Sequence, residues 1–198
     1  AVAALISAFP ALDDHQVLLG VGLIALVTLL NLRGIRESGS IFAVPTYLFL
    51  FGIGTMIIVG FVRNAMEGFE VQHTQLQNND LAGAGALTAF VVLRAFSSGC
   101  AAMTGVEAIS DGVPAFQPPE WKNARATLTV MISILAVTFA GITFLAHQFG
   151  AVPMEAGQEG YETVVSQIAR HTFGGANLAY YFIQFATMAI LVLGANTA

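Results

Sequence analysis

No Asp, Glu, Lys or Arg occurs between Arg125 and Glu155, and none follows Arg170. A stretch of that kind is long enough to cross a bilayer as a single helix, for which about 20 mostly apolar residues suffice. Composition supports the same reading. Only 10% of the residues are charged, against about a quarter in ordinary soluble domains. Too few polar side chains remain to cover a globular exterior, so lipid must cover part of it.

The charge-free windows place spans at 127–147 and 176–198. Residues 41–62 form a third, with Pro45 near its start, where a missing N–H costs few backbone bonds. Residues 16–32 (QVLLGVGLIALVTLLNL) are uncharged and slightly short, and residues 1–9 read as the end of an earlier span. The expected fold class is all-α, a multi-spanning transmembrane helical bundle over 1–198. The chain opens on AVAALISAF with no basic stretch before it, so it is not a signal peptide. Both termini read as cut inside the membrane, and a fragment is expected.

The segment 88–116 departs from this pattern. It is apolar yet carries Arg94, Glu107 and Asp111. A straight helix of that length would reach about 43 Å, against a hydrocarbon core of about 30 Å. Gly105 and Gly112 supply flexible points and Pro114 removes a donor. A helix broken near Thr104–Glu107 accounts for the length, the charge and the glycines together. Backbone freed at that depth is tolerated only against protein or a wet cavity.

Loop charges give an orientation. Arg33 and Arg36 lie in one loop and Lys122 and Arg125 in another; the opposite loops hold Asp13, Asp14, Glu67, Glu70, Asp80, Glu155, Glu159 and Glu162, with only Arg63 and Arg170 as bases. The positive-inside rule makes the Arg/Lys side cytoplasmic. Loop 64–87 is an outer polar connection. In 161–172, Val164, Val165, Ile168 and Ala169 share a helical face opposite Glu162, Gln167 and Arg170. That pattern is an amphipathic helix over the outer mouth, or an interfacial helix with no gating role.

The chemistry concentrates in 97–128, SSGCAAMTGVEAISDGVPAFQPPEWKNARATL. A carboxylate such as Glu107 within a membrane segment is costly and usually faces a pathway or a partner. A low dielectric favours its neutral form, which makes it a proton carrier where access alternates between the two sides. Thr104, Ser97 and Ser98 lie on the outer side of the break, and hydroxyls beside unwound carbonyls are hard ligands of the kind that coordinate alkali cations. Each has a plainer alternative. Membrane Ser and Thr commonly bond their own backbone or close a helix contact, and Glu107 could be half of a structural pair. Asp111 and Arg94 are candidate gate residues, or a surface charge and a side chain reaching into the outer vestibule. Asn196 and Thr197, at the end of the last span, are ligands or packing.

Other classes are excluded by what the chain lacks. Seven Lys and Arg against a net charge of −5 form no basic stripe for nucleic acid. The lone Cys100 cannot form an internal disulfide, and the four histidines show no metal-ligand spacing. No P-loop, dinucleotide fingerprint or nucleophile elbow occurs, so no enzyme and no cofactor is expected.

TGVEAISDGVPAF followed by PEWKNAR resembles the sixth transmembrane segment of the amino acid–polyamine–cation superfamily, and NLRGIRESG (31–39) resembles its loop between segments four and five. SSGCAAMTGVEAISDGVPAF, the SAFPALDDH start and the LGANTA end are most similar to its KimA-type potassium–proton symporters. The resemblance implies a LeuT-type five-plus-five inverted repeat with segments one and six broken, of which this chain runs from the end of segment three to most of segment eight. It implies Thr104 as a potassium ligand and Glu107 as the residue linked to proton movement. The other ligands would lie before residue 1, and a cytosolic regulatory domain after residue 198. Expected partners are the lipid bilayer and a small cation (potassium and protons), or an amino acid, with a homodimer left open. A cation-coupled amino-acid permease of the same fold is the second reading, and a structural membrane subunit with an inert Glu107 the third.

Overall fold

The computed structural model describes residues 1–32, 39–66, 68, 89–101, 104–154 and 160–197. Among them every regular element is helical. The order is α1 (Val2–Ala8), a 3-10 turn (Pro10–His15), α2 (Gln16–Leu32), α3 (Gly39–Met66), α4 (Ala89–Ala101), α5 (Thr104–Asp111), a 3-10 turn (Val113–Ala115), α6 (Glu120–Gln148), α7 (Val164–Phe173) and α8 (Leu178–Thr197). Four stretches are long and apolar enough to cross a membrane: Pro10–Leu29, Ala43–Met66, Glu120–Gln148 and Leu178–Ala195. On α2, Val17, Leu18, Val21, Ile24, Leu26 and Leu29 are all exposed. A helix apolar on every side with most of its large side chains uncovered is suited to lipid, since its backbone bonds are already satisfied internally.

The chain divides into two compact units, Ala1–Gln72 with Gly141–Ala198, and His73–Ala140. In the first, Ile53 and Met56 of α3, Leu145 of α6, Ile168 and Ala169 of α7, and Tyr180 and Ile183 of α8 share one core with Phe149. Without a hydrophobic drive between helices in lipid, close approach depends on small residues. A Cβ on Gly60 would lie 2.8 Å from Leu145, and one on Gly141 would lie 2.8 Å from Ile57. These two glycines let α3 and the end of α6 meet.

Two local features bear on the sequence reading. Helix α3 begins at Gly39, so Pro45 falls inside it, beyond the first turn, where it removes one ladder bond. The break expected near Thr104–Glu107 falls beside residues 102 and 103, which lie outside the described residues; α4 ends at Ala101 and α5 starts at Thr104, running through Gly105. A single glycine such as Gly105 costs a helix only about 1 kcal/mol, and Val106, Ala108 and Ile109 carry the turn onward. Helix α5 ends at Asp111, where Gly112 and then Pro114, which lacks an N–H and restricts its predecessor, turn the chain into the 3-10 segment. The expected loop 64–87 lies mostly outside the described residues, as do Met103 and Ala102 between α4 and α5.

Candidate functional site

The second unit carries the residues singled out for chemistry. At 13 and 8 residues, α4 and α5 are each too short to span a core of about 30 Å alone. Arg94 and Ser97 sit three residues apart on α4, and both are exposed. Ser98 is helical in α4 and Thr104 is the first residue of α5; their side chains lie outside the described residues.

Helix α5 has two dissimilar faces. Val106 and Ile109 are partly buried, and a Cβ on Gly105 would lie 3.7 Å from Sδ of Met131 on α6. Helical spacing puts positions 104, 107 and 111 together on the other side. Glu107 and Asp111 are exposed. Among the described residues neither carboxylate takes part in a hydrogen bond or ion pair. Ser110 by contrast donates to the Val106 carbonyl at 3.0 Å. What the sequence grouped by composition, α5 groups by geometry: a hydroxyl position and two acids on one helical face, with the apolar face turned to packing.

Helix α6 shows what hydroxyls in a span do when they have no other duty. Thr127, Thr129, Ser133 and Thr138 each donate to the carbonyl four residues back, at 2.8–3.0 Å. Its start is organised by Asn123, whose amide donates to the Gln117 carbonyl at 2.8 Å, and by Lys122, 5.4 Å from the Trp121 ring centre.

The first unit holds a polar cluster that sequence reasoning missed. Tyr180 is fully buried, and its hydroxyl donates to the Ser7 carbonyl at 2.6 Å. The phenol has one proton, so the Ser166 hydroxyl at 2.8 Å donates to it. Arg170 pairs with Glu162 and lies 5.1 Å from the Tyr180 ring centre. Burial opposes the charge on Arg170, but the hydrogen bond and charge of Glu162, helped by Tyr180, hold the guanidinium above its ordinary range. Gln167, read from the sequence as part of a polar face, bonds both the N–H and the carbonyl of Val152, at 3.0 and 2.8 Å. On α8, Gln184 is buried with its Nε2 unpartnered among the described residues. A glutamine inside a charge-free window was the available signal for it.

The decisive comparison concerns the whole chain: residues 1–198 match the family described as amino acid permease. The chain belongs to the amino acid permease family. It is also 47% identical, over 98% of its length, to the potassium transporter KimA of Bacillus subtilis (strain 168). This permease chain covers 31% of that relative, so it spans about a third of the protein it matches. Family and apolar helices together make it a multi-pass membrane segment of a transporter.

Proposed function

We propose that the full-length protein takes up potassium across the cell membrane, driven by protons moving with it. The observation that carries this reading is the 47% identity to a potassium transporter across nearly the whole chain. In this account α5 is the ion-handling element: Thr104 supplies an oxygen ligand to potassium, and Glu107 carries the proton. The face shared by positions 104, 107 and 111 supports it, because a cation bound near Thr104 would lie close to the carboxylate whose protonation it must influence. Coupling follows when cation occupancy and protonation bias the same inward–outward equilibrium. Ser97 and Ser98 join Thr104 as cation ligands, Asp111 and Arg94 form the gate, and homodimerisation is part of the same proposal.

The family's description favours a second reading, cation-coupled amino-acid transport. Proteoliposomes of the full-length protein separate the two. Saturable rubidium or potassium uptake, unaffected by a mixture of amino acids, is expected. Amino-acid uptake with no dependence on potassium would overturn the first reading in favour of the second. Thr104→Val retains shape but removes the oxygen, and the apparent KM for potassium should rise about five- to a hundredfold, the equivalent of about 1–3 kcal/mol. An unchanged KM with normal expression would make Thr104 a packing residue like the hydroxyls of α6.

A further inference from the structure

Helix α7 is ten residues long, too short to be stable alone in water, so its position depends on what it touches. Its start is tied to α1: the Thr163 N–H donates to Oγ of Ser7 at 3.0 Å, and Ser7 Oγ donates to the Ala3 carbonyl at 2.9 Å. Thr163 also caps the helix, accepting from the Ser166 N–H at 3.3 Å. Its first turn is tied to α8 through Ser166, whose hydroxyl donates to Tyr180, and Tyr180 in turn donates to the Ser7 carbonyl of α1. Its end closes on Gly174, in the left-handed region at φ 73°, and Arg63 of α3 donates to the His171 carbonyl at 2.8 Å. Asn177 then links the two helices, accepting from the Tyr180 N–H at 3.1 Å and donating to the Phe173 carbonyl at 2.7 Å.

Both ends of α7 are thus held by a side chain from another helix, and the Ser166–Tyr180 tie is fully buried. A buried polar network that is satisfied resists opening, because each group released without water carries its full desolvation cost. A helix that swung away from α1 and α8 would part the Ser166 hydroxyl from the Tyr180 phenol and the Thr163 N–H from Ser7 Oγ together, leaving the Tyr180–Ser7 bond between α8 and α1. We propose that α7 is a fixed cover, clasped to α8 by Tyr180 and to α1 by Ser7, which keeps its seat against them throughout transport instead of hinging as a separate flap. The uptake part of the test rests on the transport reading above; the exchange part does not.

In the full-length protein with its other cysteines replaced, Ser7→Cys with Thr163→Cys should form a disulfide. Uptake by the cross-linked protein should match uptake after reduction. A cross-link that arrests uptake, with recovery on reduction, would show that α7 must part from α1 and would overturn the proposal. Failure to form the disulfide in a protein that still transports would overturn it too, since the two ends would not be neighbours. If neither form transports, hydrogen exchange decides. Tyr180→Phe should accelerate amide exchange in 164–173 about tenfold while leaving the middle of α6 unchanged. Unaltered exchange in α7 would mean that Tyr180 is not the clasp.

Discussion

Glu162 and Glu107 are carboxylates in the same charge-poor chain, placed in opposite circumstances. Glu162, just ahead of α7, is mostly buried and takes up Arg170, with the Ser166 and Tyr180 hydroxyls at 3.5 and 3.4 Å. Glu107, on α5, is exposed and has no such partner among the described residues. The first acid has its charge answered where it stands, and its surroundings are arranged to hold a shape. The second stands on a helical face whose other members are a threonine position and a further acid. An acid answered within the fold stabilises it; an acid left open can exchange a proton or meet an ion.

That contrast predicts a gradient of effects on thermal unfolding of the full-length protein in detergent. Tyr180→Phe should cost most, about 2 kcal/mol, because it strands the buried Ser7 carbonyl and Ser166 hydroxyl. Glu162→Gln should cost less, about 1 kcal/mol, since Arg170 is 43% exposed and part of the pair's attraction is screened. Glu107→Gln should change stability by no more than about 0.5 kcal/mol, the usual range for a site without structural partners. If Glu107→Gln destabilised the protein as much as Tyr180→Phe, Glu107 would be a structural acid and the contrast would fail.

The helical class of the fold was legible from the sequence for a physical reason. Charge-free runs such as 126–154 admit few structures that satisfy every backbone group in lipid, and periodicity alone grouped Val164, Val165, Ile168 and Ala169. The clasp was not legible. Tyr180 and Ser7 are 173 residues apart, and a serine and a tyrosine near the ends of apolar segments carry no signature of each other. Likewise, composition marked Gly105 as a weak point, but propensity is local and α5 runs through it. For the candidate site, residue types pointed to Thr104 and Glu107; that 104, 107 and 111 fall on one face required a helix that continues past Gly105.

In the proposed mechanism Glu107 moves the proton. The most direct test of this role is the steady-state accumulation of potassium in proteoliposomes of the full-length protein, measured as the imposed pH difference is raised at clamped membrane potential. Accumulation should climb with the pH difference in the parent. In Glu107→Gln, fixed in a neutral form of nearly the same volume, it should stay flat at the level set by the potential, although potassium still binds. An equally steep climb in Glu107→Gln would contradict the claim and move the proton-coupling group to another part of the transporter.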